Sequence, residues 1–268
     1  MHNIDLPTAF STTPLRPRSA DARDGSSDAV AAIPTFAEPS ASLLAERAKV
    51  VPRARSEPLD RAMNIIVASV GLIVTSPVIV LFAGIVKLTS RGPVFYSQAR
   101  VGIDRRRRRE DIAMYDRRRR DLGGRAFNIF KFRSMYTNAE RPTGAVWATK
   151  GDPRVTAVGR IMRKFRIDEL PQLVNVLRGD MNIVGPRPER PSIFSKLSQD
   201  IDGYPQRQRA KPGITGWAQI NQAYDTSLDD VRSKVRYDLE YLERQGVAED
   251  LKLMARTLPV MIFRKGGW

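Results

Sequence analysis

The feature that most constrains this chain is a long segment without a charged side chain. It runs from Ala62 to Val86, "AMNIIVASVGLIVTSPVIVLFAGIV", and is 25 residues long. At a rise of roughly 1.5 Å per residue, a straight helix of this length would cross the hydrocarbon core of a bilayer. The segment therefore predicts a membrane-embedded helix, and a single-pass anchor is its simplest form.

Two features favour a re-entrant hairpin, although from the residues alone both forms remain open. Ser76 and Pro77 lie near the middle of the segment. Proline removes an amide donor and clashes with the preceding turn, so we expect a break or a strong bend there. Lys and Arg tend to remain on the cytoplasmic side, yet basic residues flank both ends, which a hairpin with two cytoplasmic ends would satisfy. They are Arg47, Lys49, Arg53, Arg55 and Arg61 before the segment, and Lys87, Arg91, Arg100, Arg105 and Arg106 after it.

The composition of the remaining chain suggests three regions. Residues 1–55 are rich in Pro, Ser and Ala and lack a sustained apolar period, which is typical of a disordered tail. No apolar stretch follows the first methionine, so we do not expect a signal peptide. We therefore divide the chain into a disordered tail (1–55), a membrane hairpin (56–90) and a cytosolic domain (91–268).

An arginine-rich insertion at 104–121, "DRRRRREDIAMYDRRRRD", contains nine arginines and five acidic residues. Blocks of like charge usually form solvated loops, and this is the simplest interpretation. A patch for anionic lipid headgroups is an alternative because the insertion lies close to the membrane segment in sequence. An RNA-binding interpretation has less support, since no aromatic stacking platform accompanies the arginines. The formal net charge of +16 indicates polyanionic partners without choosing among them.

The inventory of reactive side chains is narrow. The chain contains no cysteine, and its single histidine is His2. Thiolate nucleophiles, imidazole bases and Ser-His-Asp triads are therefore excluded within this sequence. An enzyme with this composition must use carboxylates, Lys, Arg and Tyr, and its metal would be a hard, oxygen-liganded ion such as Mg²⁺.

The periodicity of the cytosolic region predicts an α+β, mainly helical fold. Two strand-like runs, "GPVFYSQARVG" and "GRAFNIFKFRSM", form a small β element. Amphipathic helical patterns follow from Ala157 onward, and a capping box of Ser227 and Asp230 opens one of them. The last pattern, "LKLMARTLPVMIF", suits either an interfacial helix or a core helix.

Two adjacent acids in "RKFRIDELPQLVNVLRGDMNIVGPRPER" are candidates for chemistry. Pro171 suits the first turn of a helix, so Asp168 and Glu169 lie at or just before a helix N-terminus. The helix dipole and the nearby arginines would favour the ionised form of both carboxylates. An acidic N-cap with surface salt bridges explains the pair taken alone. An ionised carboxylate can also act as a nucleophile or hold a metal.

Neighbouring motifs supply basic groups suited to phosphate. Arg187 lies between two prolines in "GPRP", which restricts its backbone and presents its guanidinium for a phosphate oxygen. Lys131 and Arg133 of "KFRSM" alternate on one face of a strand-like run, as phosphate ligands or as a solvated basic edge. The run "KPGITGWAQI" matches no nucleotide-binding fingerprint, so a structural turn is its simplest interpretation.

The order of these motifs closely resembles that of the bacterial sugar transferase family, the monotopic phosphoglycosyl transferases. The resemblance covers about Leu59 to the C-terminus and rests on "GPVFYSQARVG", "KFRSM", "DPRVTAVGRIMRKFRIDELPQLVNVLRGDMNIVGPRP", "KPGITGWAQIN" and "YDLEYL". It implies a monotopic protein with one re-entrant helix-break-helix hairpin at Ser76 and Pro77 and amphipathic interfacial helices. Its implied location is the cytoplasmic face of the bacterial inner membrane. The arginine-rich insertion is longer than the short turn usual in the family.

The resemblance also implies an activity. Such enzymes transfer a sugar 1-phosphate from a nucleotide diphosphate sugar, usually a UDP-sugar, to a polyprenyl phosphate such as undecaprenyl phosphate, and release UMP. The reaction initiates the assembly of exopolysaccharide, capsule or related glycans, and it uses Mg²⁺. By motif, Asp168 is implied as the nucleophile, which forms a covalent phosphosugar intermediate, and Glu169 as the Mg²⁺ ligand. The implied substrate-binding or supporting positions are Lys131, Arg133, Arg163, Arg187 and Asp238.

The implied partners are the UDP-sugar donor, the polyprenyl phosphate acceptor and inner-membrane lipids. Downstream glycosyltransferases are further candidates, and no nucleic acid is expected. The rival hypothesis is a membrane-anchored basic protein that binds RNA or anionic lipid through its arginine runs.

Overall fold

The computed structural model describes residues 50–104, 124–137, 139, 151–222 and 227–263. All of them belong to one compact unit, Pro39–Trp268. The helices are α1 Glu57–Thr89, α2 Ala157–Lys164, α3 Gln172–Arg178, α4 Pro191–Asp200, α5 Trp217–Asn221, α6 Leu228–Arg244 and α7 Val247–Phe263. The strands are β1 Phe95–Val101, β2 Ala126–Phe132, β3 Asn182–Val184 and β4 Gly213–Thr215, and 3₁₀ turns occupy Ile167–Glu169 and Tyr204–Arg209. The predicted mainly helical fold with small sheets is confirmed, whereas the predicted tail up to residue 49 and nearly all of the arginine-rich insertion lie outside the described residues.

Helix α1 contains the uncharged segment and is continuous over 33 residues. The structure has no break in the helix at Ser76 and Pro77, where we expected a break or a strong bend. Pro77 has no amide hydrogen to donate to the carbonyl oxygen of Ile73, one turn earlier. The Ser76 hydroxyl donates to that oxygen instead, at 2.8 Å. The side chain replaces the missing backbone bond, which explains why the helical conformation continues. The re-entrant course of α1 stays a prediction.

The surface of α1 is apolar and largely exposed. Within the part of the chain that the structure describes, α1 alone is long and apolar enough to cross a membrane. An exposed apolar surface of this extent is expected for a segment in contact with lipid. Its exposed large side chains include Ile65, Ile66, Val70, Ile73, Val74, Val78, Val80 and Leu81.

Both ends of α1 are bonded to the same compact unit. Near its start, the Arg61 guanidinium donates to the backbone oxygen of Val176 in α3 at 2.6 Å. The buried side chain of Asn64 accepts a hydrogen bond from the backbone amide of Ile183 in β3 at 2.6 Å. Near its end, Val86 is buried in a cluster with side chains of β2 and α2. The helix is therefore attached to the rest of the fold on both sides of its apolar stretch.

The strands form two small sheets. β1 and β2 pair antiparallel over their full length, which confirms the predicted β element, and β3 and β4 pair parallel. At Gly213 an added Cβ would lie 2.1 Å from the backbone nitrogen of Gly185. The "VGPRP" and "KPGITG" segments are therefore in backbone contact, and Gly213 donates its amide hydrogen to the Pro186 oxygen at 3.0 Å. This packing supports the structural interpretation of "KPGITG" and fixes the chain just before Arg187.

The C-terminal helices complete the core. α6 begins with the predicted capping box: the Asp230 amide donates to Ser227 Oγ, and the Ser227 amide donates to the Asp230 carboxylate. α7 contributes the buried Leu253 to the core but exposes Leu251 and Leu258. It is therefore amphipathic, and its position in a membrane interface stays a prediction.

Candidate active site

Asp168 and Glu169 lie in the 3₁₀ turn that directly precedes α3. Their predicted position just before a helix is confirmed. Arg166 introduces this turn with a left-handed backbone conformation, φ 58°, which is uncommon for a residue with a side chain. Both carboxyl residues are only 7% exposed. The simpler interpretation, an acidic cap on the surface, is therefore wrong.

Glu169 is surrounded by a cation cluster of Lys131, Arg166 and Arg187. Its Oε1 accepts hydrogen bonds from Lys131 Nζ, at 3.1 Å, and from Arg187 Nη2, while Arg166 Nη1 lies 3.6 Å away. Burial raises the pKa of Glu169, but the charges of Arg187, Lys131 and Arg166 outweigh burial and hold that pKa well below its usual range. The cation cluster therefore favours the ionised form of Glu169.

Asp168 lies in a different environment. Its Oδ1 is buried and has no hydrogen-bond partner among the described residues. Burial, followed by the charge of Glu169, raises the pKa of Asp168, with Lys131 and Arg163 acting in the opposite direction. Our expectation that Asp168 is ionised stays a prediction, although the direct contacts of the cation cluster go to Glu169. A carboxylate with a raised pKa and an oxygen that accepts no hydrogen bond is suited to nucleophilic attack.

Arg163 borders this pair of acids. It lies in the last turn of α2, and its Nε donates to Ser134 Oγ at 2.9 Å. Its charge lowers the pKa of Asp168, although burial outweighs it. Lys131 and Arg187 thus contact Glu169, whereas Arg163 acts on Asp168 through its charge, and the substrate-binding roles of all three stay predictions.

Arg133 is directed elsewhere. Its guanidinium donates to the backbone oxygens of Arg91 and Ser90, each at 2.8 Å, immediately after α1. These contacts favour a role in anchoring the end of α1. The substrate-binding role of Arg133 stays a prediction, since the hydrogen bonds of its guanidinium to the described residues go to Val86, Ser90 and Arg91.

Asp238 lies behind the site rather than in it. It is 1% exposed on α6 and accepts two hydrogen bonds from Arg207, from Nη2 at 2.6 Å and from Nε at 2.9 Å. Arg207 is itself fully buried and donates to the backbone oxygen of Arg187 at 3.0 Å. Asp238 therefore supports the loop that carries Arg187, through a residue that sequence reasoning missed.

A further buried pair lies next to this support. Lys234 Nζ donates to Glu189 at 3.0 Å. Burial raises the pKa of Glu189, but Lys234, Arg207 and Arg100 outweigh it and lower the pKa to about 2. Glu189 follows "GPRP" directly, whereas no spacing or motif in the sequence marks Arg207 or Lys234 as its partners.

The two acids fit one mode of magnesium binding. The described residues contain no group of three or more His, Cys, Asp or Glu side chains that would hold a metal ion alone. Sites for phosphoryl transfer usually bind Mg²⁺ through one or two carboxylates together with substrate phosphates. The unpartnered Asp168 Oδ1 beside Glu169 fits this mode, in which the metal enters with the donor.

Comparison with known proteins gives a consistent result. The family model described as "Bacterial sugar transferase" matches residues 55–109 and 107–264. A "UDP-N-acetylgalactosamine-undecaprenyl-phosphate N-acetylgalactosaminephosphotransferase" of Aeromonas hydrophila is 38% identical over 76% of this chain. A "UDP-glucose:undecaprenyl-phosphate glucose-1-phosphate transferase" is 40% identical over 75% of this chain in Escherichia coli and 35% identical over 79% in Caulobacter vibrioides. The matched region spans only 44% of the Aeromonas relative and 39% of the Escherichia relative, but 73% of the Caulobacter relative.

Proposed function

The chain belongs to the bacterial sugar transferase family, and we propose that it transfers a sugar 1-phosphate from a UDP-sugar to undecaprenyl phosphate or a related polyprenyl phosphate. The transfer initiates the assembly of an exopolysaccharide or related glycan. The observation that carries this proposal is that Asp168 Oδ1 is buried and has no hydrogen-bond partner among the described residues, beside the cation cluster that contacts Glu169. This combination provides a nucleophile and a binding site for phosphate in one place.

The proposed reaction has two steps, both at the sugar-linked phosphorus of the donor. First, Asp168 Oδ1 forms a bond to this phosphorus while the phosphorus–oxygen bond to UMP breaks, and the bonding electron pair leaves on a UMP phosphate oxygen. Second, an oxygen of the polyprenyl phosphate attacks the same phosphorus, and the bond to Asp168 breaks to restore the carboxylate. The polyprenyl phosphate is an anion and Asp168 would attack as its carboxylate, so neither step requires a histidine base.

The basic residues would neutralise charge during both steps. Lys131 and Arg187 now hold Glu169, and a diphosphate arriving beside Glu169 would share their hydrogen-bond donors. Charge-assisted contacts of this kind stabilise the charge that develops on phosphoryl oxygens. Glu169, with an oxygen of Asp168, would hold Mg²⁺, which supplies further positive charge to the phosphates when bound.

We assign the reaction to the cytoplasmic face of the inner membrane, with α1 as a re-entrant helix. The support is that Arg61 near the start of α1 and Val86 near its end both contact one compact unit. A helix that crosses the bilayer would separate such contacts by about 30 Å of hydrocarbon. A re-entrant helix, bent without losing its helical conformation, would keep both on one side.

Cysteine labelling tests this topology in a chain without native cysteine. Ala54 and Ser97 are exposed and flank α1, so we expect Ala54→Cys and Ser97→Cys to react with an impermeant maleimide only from the cytoplasmic side. Inverted and right-side-out membrane vesicles distinguish the two sides. Labelling of either position from the periplasmic side would contradict the re-entrant course and support a helix that spans the membrane.

A donor panel tests the activity. Purified protein in nanodiscs, given Mg²⁺, undecaprenyl phosphate and UDP-glucose or UDP-N-acetylgalactosamine, should release UMP with at least one donor. Release should persist after deletion of residues 105–120, since the residues named in the proposed reaction lie outside that stretch of the sequence. The absence of UMP with every UDP-sugar would contradict the proposal and favour a basic lipid- or RNA-binding protein.

A further inference from the structure

Gln172, the first residue of α3, has a polar side chain that the mechanism above does not use. It is 2% exposed, and its Nε2 is buried without a hydrogen-bond partner among the residues that the structure describes. A buried donor without an acceptor is destabilising, and such groups are rare in folded proteins. Stability of the fold therefore does not explain why a glutamine amide is buried at this position.

The backbone places Gln172 about one helical turn after Asp168. Between them, Leu170 (φ −52°, ψ −39°) and Pro171 (φ −62°, ψ −15°) both have helical angles. Residues four apart on a helical segment are neighbours, with Cβ atoms about 5–6 Å apart. Gln172 is thus a near neighbour of the proposed nucleophile along the chain.

The helix that begins at Gln172, α3, is hydrogen-bonded to β2. Asn175 lies one turn after Gln172 and is fully buried. Its side-chain oxygen accepts from the backbone amide of Phe130 at 3.0 Å, and its amide donates to the backbone oxygen of Asn128 at 2.7 Å. The same strand carries Lys131 of the cation cluster. Gln172 therefore lies between a residue bonded to β2 and the reactive carboxylate.

Asp168 and Gln172 are complementary and yet not bonded to each other. Asp168 Oδ1 is an acceptor without a donor, and Gln172 Nε2 is a donor without an acceptor, in the described part of the chain. A tetrahedral phosphate placed between them would engage both: its phosphorus faces the carboxylate, and one of its oxygens accepts from the amide. A phosphate oxygen is also the acceptor that the neighbouring Lys131 and Arg187 favour.

We propose that Gln172 is a further substrate-binding residue, whose side-chain amide donates a hydrogen bond to a non-bridging oxygen of the transferred sugar phosphate. This inference rests on the proposed function and deepens it. The bond orients the phosphorus for attack by Asp168, so its loss acts on the first step of the reaction.

Gln172→Met tests the inference, because methionine has a similar volume and no donor. We expect single-turnover UMP release from UDP-sugar alone to slow about 10- to 100-fold, as for the loss of a hydrogen bond to a charged group. The melting temperature should stay the same or rise by a few degrees, because an unsatisfied buried amide is removed. Gln172→Glu, which keeps the shape of the side chain but lacks the amide, should also slow release.

Gln245→Met is the matched control. Gln245 is also buried, at 4% exposure, but both ends of its amide are bonded: Nε2 donates to the Arg53 oxygen at 3.0 Å, and Oε1 accepts from Arg55 at 3.3 Å. This control should lower the melting temperature and leave UMP release per folded enzyme unchanged. Lower stability is thus the signature of a structural glutamine.

The outcomes separate this inference from the proposed function. If wild-type protein releases UMP and both Gln172 variants do so within about twofold of wild type, the inference fails and the function stands. If Gln172→Met loses stability and activity in parallel, as the control predicts for a structural residue, the inference also fails. If wild-type protein releases no UMP with any UDP-sugar, the proposed function fails, and the substrate named here fails with it.

Discussion

Asp168→Asn should reduce UMP release at least about 1,000-fold, as expected when a nucleophile is removed. Wild-type protein incubated with donor alone should gain the mass of one sugar phosphate, and the variant should gain none. Intact-protein mass spectrometry measures both. Asn has almost the same shape as Asp but a far poorer nucleophile, so the site should otherwise be preserved.

The stability of this variant provides an independent check. Burial and Glu169 raise the pKa of Asp168 in the folded protein above its unfolded value. Such a group contributes stability only at low pH, and this contribution is lost as the pH rises and the carboxylate ionises. A neutral Asn should therefore not destabilise the fold at pH 7.

The control for this result is Asp229→Asn. Asp229 is an exposed acid on α6 that pairs with Arg232 at 2.6 Å. It should form the sugar-phosphate adduct at the wild-type rate. An Asp168→Asn protein that still forms the adduct, or a wild-type protein without an adduct under donor alone, would contradict the two-step mechanism.

Arg207→Met should cost about 3–5 kcal/mol of unfolding free energy, as is typical when one partner of a buried ion pair is removed. Arg207 is fully buried and Asp238 is 1% exposed, so the change removes the Arg207 charge from beside a carboxylate inside the core. The loop that carries Arg187 would also lose the hydrogen bond to its backbone oxygen. Denaturant unfolding in detergent measures the loss, and UMP release should fall with it.

A double variant shows whether the charge of Asp238, after the loss of Arg207, causes the loss of stability. Arg207→Met combined with Asp238→Leu removes both charges, and it should recover part of the lost stability, since apolar replacements of buried pairs are often tolerated. Arg232→Met, at an exposed arginine, should change stability by less than about 0.5 kcal/mol. A cost of Arg207→Met equal to that of Arg232→Met would overturn the supporting role of the pair.

The sequence allowed local features to be predicted where the signal lies within a few residues. The uncharged stretch is α1, the Ser227 capping box opens α6, and Asp168 and Glu169 precede a helix. Arg133 shows where such reasoning ends. Alternation on a strand predicts that it shares a face with Lys131, but β2 stops at Phe132. Beyond that point alternation no longer applies, and the Arg133 side chain turns to α1.

The remaining differences depend on side-chain conformations and on contacts that the sequence does not specify. The continuity of α1 depends on the Ser76 rotamer that reaches the Ile73 oxygen, and the sequence does not specify it. The pKa of Asp168 depends on how deeply the folded chain buries it, and then on the charges of Glu169 and Lys131 beside it. The part played by Arg207 requires α6 and "GPRP" to meet, although they are far apart in the chain.

Gly71 links the proposed reaction centre to the proposed depth of the protein in the bilayer. A Cβ at this position on α1 would lie 3.3 Å from Leu173 Cδ1, so α3 packs directly on the apolar helix. Leu173 follows Asp168 by only five residues, and no flexible linker separates the carboxylate from that contact. The depth of the Asp168 carboxylate relative to the lipid headgroups is consequently set by how α3 packs on α1. A change in the depth of α1 in the bilayer would therefore move the carboxylate as well.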